Sequence, residues 1–287
     1  MSILYIVSTP IGHLGDLTHR AVEVLSTVDR VLAEDTRHTA VLFRRYGIAT
    51  PLVSAHAHNE EARAARILAW LDAGETLAIV SDAGTPLLSD PGARIVRQAV
   101  AGGHRVEAVP GASALLAALV VSGLPPEPFT FRGFLPRRGE AREEALREVA
   151  ACAHTSVLYE SPRRLADLLR DLARHCGEGR PAAVARELTK LHEEVVRGSL
   201  ADAVAYYGDG PARGELVVVV GGVSAAERVV EAAAAEAAAV ALASRLLESG
   251  TRPSVVARTV AKETGVARND AYRIALSLSQ EEEGEGS

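Results

Sequence analysis

Short runs of β-branched and aliphatic residues alternate, through the first half of the chain, with longer stretches whose apolar residues recur at helical spacing. The runs are Leu4 to Val7, Arg30 to Ala33, Leu77 to Val80 and Val106 to Val109. Strands separated by amphipathic helices predict βαβ units around a mostly parallel sheet. In the first helix Leu17, Ala21, Val24, Leu25 and Val28 share one face, and Asp16 stands where an N-cap is needed. A second helix begins near Asn59 and carries Ile67, Leu68 and Leu71. The segment SGLPPEPF, Ser122 to Phe129, holds three prolines and cannot continue a helix, so it divides an N-terminal α/β domain (1–121) from a second α/β domain (122–222). The second domain has five strand candidates: Phe129 to Gly133, Ser156 to Glu160, Ala182 to Arg186, Glu194 to Gly198 and Glu215 to Val220. Helices are expected around Arg142 to Ala150 and Arg163 to His175. From Val223 the composition turns Ala-rich up to Ser249, and helical stretches Pro253 to Thr264 and Asn269 to Leu278 follow. This predicts a small helical domain, 223–287, with an acidic tail. Its last two helices fit a helix-turn-helix or, equally, a solvated hairpin or dimer arm.

With 287 residues, 48% of them hydrophobic, the chain can bury a sizeable core. No apolar run approaches the roughly 18–20 residues of a membrane span. The ILYIVS start has no basic segment ahead of an apolar one, so a cytoplasmic protein without a membrane partner is expected. Cys152 and Cys176 stand far apart with no C-x-x-C, which predicts neither a disulfide nor a zinc site. His56 and His58 would project to one face of a strand but lack a third ligand at suitable spacing, so no metal is expected. The formal charge of −6 does not favour a polyanion as a whole. Four glutamates lie in the tail from Gln280 to Ser287, however, and without them the rest of the chain is nearly balanced. Basic patches at Arg37, Arg44 and Arg45, at Arg132, Arg137 and Arg138, and at Arg163 and Arg164 offer local contacts to nucleic acid, against the alternative of ordinary surface arginines.

The common nucleotide signatures are missing: no G-x-G-x-x-G follows the first strand and no G-x-x-x-x-G-K-[ST] occurs. G-x-S-x-G and H-E-x-x-H are absent too, which removes acyl hydrolases and zinc proteases. Instead, polar loops rich in Gly and Pro follow the strands, where open parallel sheets bind ligands. STPIGHLGD (Ser8 to Asp16) brings backbone close to the crevice, although a tight βα turn would read the same. SDAGTPLLSDPG (Ser81 to Gly92) combines small residues with the carboxylates of Asp82 and Asp90, which suit ribose hydroxyls or an ammonium group. VPGASA (Val109 to Ala114) offers backbone amides and the Ser113 hydroxyl at a helix start, or merely an N-cap. LYESPRR (158 to 164) and ARELTKLHEE (185 to 194) are polar segments at strand ends in the second half.

Taken in order, TPIGHLGD, EDTRHT (34 to 39), SDAGTPLLSDPG, PGASA, YESPRR, ELTKLHEE and GELVVVV (214 to 220) span nearly the whole chain. Together they resemble the tetrapyrrole-methylase superfamily and, within it, the branch that methylates a cytidine 2′-hydroxyl in small-subunit ribosomal RNA. His13 departs from the Asn of that branch. The resemblance implies two α/β domains with S-adenosylmethionine in the cleft between them, typically in a homodimer. It also implies that Pro10, Asp82, Gly84, Thr85, Ser113, Ala114, Tyr159 and Glu160 hold the cofactor, several through backbone. The implied partner is 16S rRNA in the small ribosomal subunit, modified in its decoding region. The C-terminal segment is similar to a small extra domain of that branch and is expected to contact RNA or ribosome.

Transfer of a methyl group to a ribose oxygen needs an in-line arrangement, exclusion of water, and a base or cation that eases loss of the hydroxyl proton. Glu187, Lys190 and Asp35 are the candidates, with His192 behind them, each set against a plain ion pair. Glu187 and Lys190, three apart, would share a face in a helical turn. Arg37, Arg44, Arg45, Arg163 and Arg164 are candidate phosphate contacts. Competing readings are C-methylation of a precorrin or other tetrapyrrole, a ribosome-binding module without catalysis, and a diphthamide-pathway methyltransferase.

Overall fold

The computed structural model describes residues 2–54, 60–90, 92–208 and 212–285. The pair His56 and His58 and the expected helix start at Asn59 lie outside them. Two compact units are present, Met1–Gly222 and Val223–Ser287.

The first unit contains two five-stranded sheets. The first is all parallel, in the order β3-β2-β4-β1-β5: β1 (Ile3–Val7), β2 (Arg30–Ala33), β3 (Leu52–Ser54), β4 (Leu77–Val80) and β5 (Arg105–Val109). Alternation along its strands separates two cores. On one face Val7, Val31, Ala33, Ala78 and Val80 pack against α1 (His19–Thr27) and α2 (Thr36–Tyr46). On the other, Leu4, Leu32, Leu77 and Ile79 pack against α3 (Glu60–Asp72) and α4 (Ala93–Ala101). The central strand β4, covered on both sides, is apolar and buried at every residue, as parallel sheets require, whereas the edge strand β5 carries Arg105 and Glu107. The β3 strand escapes the sequence pattern because three residues after Pro51 are too few to show alternation. The cap of α1 also differs from expectation: Asp16 closes a single 3₁₀ turn, and the Thr18 hydroxyl accepts from Ala21 N.

The second sheet runs β6-β7-β10-β8-β9: β6 (Phe129–Phe134), β7 (Thr155–Glu160), β8 (Pro181–Arg186), β9 (Glu194–Ser199) and β10 (Leu216–Val220). Only β6 and β7 are parallel; the other pairs are antiparallel. One face is covered by α6 (Glu140–Ala151), α7 (Leu165–Cys176) and α8 (Leu200–Tyr207). In α7 Leu165, Leu168, Leu169 and Leu172 are fully buried at helical spacing, and each contributes about 1.5–3 kcal/mol by burial. The other face packs on α5 (Ala114–Val121) through Leu115, Ala118 and Leu119. This helix, placed by the sequence in the first domain, thus lies against the second sheet.

The second unit is a three-helix cluster of α9 (Ala225–Glu248), α10 (Pro253–Thr264) and α11 (Arg268–Glu285), each packed on the other two. Its core is built from small residues such as Ala239, Ala243, Ala257, Ala271 and Ala275, which let the helices approach closely. Gly265, at φ 73°, ends α10 in the left-handed conformation. No helix among the described residues is long and apolar enough to cross a membrane.

Candidate active site

The loops after β1, β2, β4 and β5 meet at the carboxyl edge of the parallel sheet and are bonded to one another. Thr9 N donates to Gly84 O at 2.9 Å and Gly84 N to Thr9 O at 3.1 Å. The Ser8 and Thr85 hydroxyls lie 3.1 Å apart, and Thr85 also donates to Ala112 O at 3.2 Å. Asp82 Oδ1 accepts from Asp35 N at 2.9 Å, which fastens the β2 loop to the β4 loop. A side chain at Gly111 would come within 2.9 Å of Ser8 Cβ, so glycine is what lets the β5 loop approach β1. Leu87 (φ 75°) and Ser89 (φ 69°) are left-handed without being glycine, a strain of roughly 1–3 kcal/mol each.

Opposite these loops, the second sheet presents the ends of β7 and β8 and the start of β10. A cavity of about 350 Å³ lies between, lined from one side by Asp82 to Thr85, Asp90, Ser113 and Ala114 and from the other by Tyr159, Glu160, Leu188 and Gly214 to Val217. Of the eight residues expected to hold a cofactor, Asp82, Gly84, Thr85, Ser113, Ala114, Tyr159 and Glu160 line it. Pro10 lines a neighbouring cavity of about 230 Å³ instead, together with Gly12, His38, Thr39 and Lys190. Ile11, Asp82, Ala83 and Glu215 line both cavities, which therefore adjoin along a shared side.

The larger cavity is acidic: Asp82, Asp90, Glu160 and Glu215 line it and, among the described residues, no Lys or Arg does. Two of these carboxylates are compensated. Glu160, whose side chain is fully buried, pairs with Arg164 at 3.0 Å, and Glu215 pairs with Lys190 at 3.2 Å. Asp82 and Asp90 have no cationic partner among the described residues. Burial pushes the Asp90 carboxyl up to about 6, and the charges of Glu34 and Asp82 add to the shift. Tyr159 stacks edge-on against Phe131 and Phe134 at 5.0 and 5.7 Å between ring centres. Burial raises its phenol pKa and Asp90 adds to this, so it stays a neutral donor.

The three catalytic candidates fare differently. Asp35 lines neither cavity; its carboxylate caps α2 through Arg37 N at 2.8 Å and is gripped by the Arg37 guanidinium, which holds it far below the usual carboxylate range. Glu187 and Lys190 lie in a tight turn rather than a helix, with Glu187 (φ 51°) and Thr189 (φ 65°) left-handed. Glu187 Oε1 accepts from Lys190 Nζ at 2.8 Å and Glu215 N at 2.9 Å, and these bonds lower its pKa. Partial burial disfavours charge on Lys190, but Glu187 and Glu215 outweigh it and its pKa rises. Lys190 is therefore a fixed cation in the smaller cavity. The first loop braces this turn: His13 N donates to Thr189 Oγ1 at 3.0 Å, and a Cβ at Gly12 would meet Lys190 Cγ at 2.5 Å.

Among the candidate phosphate contacts, Arg37, Arg44, Arg45 and Arg163 are exposed. Arg164 turns inward, to Glu160 and to Leu135 O at 2.9 Å. Among the titratable residues lining the cavities, the sequence singles out Asp82 and Asp90 as ligand carboxylates but not His38 or Glu215. Both fall inside the motifs EDTRHT and GELVVVV, so membership of an ordered motif is the available signal.

A profile of the tetrapyrrole (corrin/porphyrin) methylases matches residues 3–204. The chain belongs to that family. Within it, "Ribosomal RNA small subunit methyltransferase I" of Synechocystis sp. is 44% identical over 97% of this chain and 99% of its own length. The protein of that name from Xylella fastidiosa (strain Temecula1) is 47% identical over 94% and 97%. The fold is shared by uroporphyrin-III C-methyltransferase from Thermus thermophilus, solved with S-adenyl homocysteine, at TM-score 0.56 and 22% identity over 77% of this chain and 97% of that one.

Proposed function

We propose that this protein transfers a methyl group from S-adenosylmethionine to a ribose 2′-hydroxyl of small-subunit ribosomal RNA, at a cytidine of the decoding region. The observation that carries the proposal is the pair of adjoining cavities, in a chain whose near-full-length relatives are named as small-subunit ribosomal RNA methyltransferases. The larger cavity has the size of pockets that enclose small ligands, about 300–1,000 Å³. Its apolar walls at Ile11, Leu188 and Val217 suit a purine, and the uncompensated Asp82 and Asp90 suit a cationic ligand. Asp82, Gly84, Thr85, Ser113, Ala114, Tyr159 and Glu160 would hold the cofactor, with Pro10 in the adjoining cavity. S-adenosylmethionine supplies a methyl group made electrophilic by its sulfonium.

The smaller cavity would take the acceptor ribose. Lys190, pinned by Glu187 and Glu215, presents a positive charge that favours the deprotonated oxygen. Glu187 would position Lys190, and Asp35 would set the start of α2. Because Ile11, Asp82, Ala83 and Glu215 line both cavities, donor and acceptor would meet where the cavities adjoin, and such proximity contributes about 7–11 kcal/mol at best. Arg37, Arg44, Arg45 and Arg163 would track RNA phosphates, and the three-helix unit would add a contact to RNA or ribosome. The same reading places the enzyme in the cytoplasm as a homodimer.

The test is incubation with methyl-labelled S-adenosylmethionine and small ribosomal subunits from a strain lacking the enzyme, followed by nuclease digestion and mass spectrometry. Label in a 2′-O-methylcytidine of the decoding region is expected. Label in an added tetrapyrrole, with none in RNA, would move the protein to the C-methylating branch of its family.

A further inference from the structure

We propose that His38 is the proton acceptor for the ribose hydroxyl, an inference that rests on the methyl-transfer reading above. A 2′-oxygen that bonds to carbon must lose its proton, so a base belongs in the acceptor cavity. The titratable side chains lining that cavity, among the described residues, are His38, Asp82, Lys190 and Glu215. Lys190 is held protonated. Glu215 is engaged by Lys190 at 3.2 Å, and Asp82 accepts from Asp35 N and faces the larger cavity as well. Glu187 and Asp35 line neither cavity and are committed to Lys190 and Arg37. His38 differs from all of these. It is exposed in the first turn of α2, on the stretch that also gives Thr39, Val41 and Leu42 to the cavity, and neither ring nitrogen has a partner among the described residues. An imidazole is the side chain best suited to take and release a proton near neutral pH.

In the step assigned, the 2′-oxygen forms a bond to the methyl carbon as the C–S bond of the sulfonium donor breaks, and that bond's electron pair stays on sulfur. The hydroxyl proton passes to a His38 ring nitrogen, so the positive charge lost from sulfur reappears on the imidazolium, which then returns the proton to water. Lys190 offsets the charge that develops on oxygen. The other charged groups near it are Asp82 and Glu215 in the cavity lining, Glu34 and Asp35 just before α2, and Arg37 in its first turn.

The experiment compares wild type, His38→Gln and His38→Ala in single-turnover methyl transfer to small subunits, at saturating cofactor, between about pH 5 and 8. The wild-type rate is expected to rise with pH through one ionisation. In His38→Gln the rate is expected to fall by about 10²–10⁴-fold and that ionisation to vanish, while calorimetric affinities for cofactor and subunit stay unchanged. Added imidazole is expected to restore part of the rate to His38→Ala. In the ring NMR spectrum of the wild type, the His38 signal is expected to shift on addition of a cytidine oligonucleotide. A His38→Gln enzyme with the wild-type rate and pH profile overturns the assignment. Wild-type protein that binds cofactor yet labels no RNA at any pH overturns the reading beneath it.

Discussion

Replacing Arg164 by Ala removes the cation beside a carboxylate that has no access to solvent. The Glu160 side chain is fully buried, Arg164 is 26% exposed, and the two meet at 3.0 Å. Breaking a buried pair by deleting one member costs about 3–5 kcal/mol, because the remaining charge is stranded. The lower end applies here, since Glu160 Oε1 keeps the bond from Ser161 N at 2.7 Å and Arg164 itself is partly solvated. A loss of ~3 kcal/mol corresponds to a fall of roughly 6–12 °C in the melting temperature of a domain of this size. Urea unfolding monitored by tryptophan fluorescence and circular dichroism checks it, with a lower midpoint and an unchanged slope expected. The double variant Glu160→Gln/Arg164→Met, which strands no charge, should recover much of the loss. If Arg164→Ala unfolds within about 0.5 kcal/mol of wild type, as an ordinary surface change would, the ion pair does not hold this wall of the cavity. If that variant instead lowers the salt dependence of subunit binding by about one unit, Arg164 is a phosphate contact after all.

Asp90 makes cofactor binding depend on pH. Its carboxyl, raised to about 6, ionises as pH climbs through that value, so calorimetry should find affinity for the cationic cofactor rising from pH 5 to 7 in wild type and flat in Asp90→Asn. The linkage sign for folding is opposite: a raised carboxyl contributes stability that is complete below the ordinary carboxylate range and lost as pH passes about 6. The ligand-free Asp90→Asn variant should therefore gain ~1–2 kcal/mol above pH 7, after allowance for screening at a half-buried group, and gain nothing below pH 4. Parallel pH curves for the two proteins would refute both. Leu168→Ala, at a fully buried position of α7, should cost about 2–5 kcal/mol in urea unfolding. Arg44→Gln and Arg45→Gln should each reduce the salt slope of subunit binding by about one unit without altering cofactor affinity, and unchanged slopes would remove them from the RNA contact surface.

The parts of the fold that could be read from the sequence are those whose periodicity expresses burial. The strands β1, β2 and β4 are largely apolar because helices cover both faces, and α7 shows its leucines at helical spacing. Where burial leaves no period, the sequence is silent about placement. The α5 segment ALLAALVV is apolar all round, so nothing in it says which sheet it lies against. The spacing of Glu187 and Lys190 lets them meet in a helical turn but does not reveal the left-handed turn that actually joins them, because its left-handed residues are not glycines and are held by His13 and Glu215, far away in sequence. The site was legible as motifs because neighbouring parallel strands carry their loops to one edge. What the motifs did not disclose is which charges cancel. Asp35 with Arg37 and Glu160 with Arg164 are close in sequence and neutralise each other, whereas Asp82, Asp90 and His38 have no charged partner among the described residues.

The most direct test is a crystal structure of this protein with S-adenosylhomocysteine bound. The account predicts the nucleoside between Ile11, Leu188 and Val217 in the larger cavity, with the sulfur turned toward the shared side lined by Ile11, Asp82, Ala83 and Glu215. A ligand seated instead beside His38 and Lys190, or one whose sulfur faces away from that side, would contradict it.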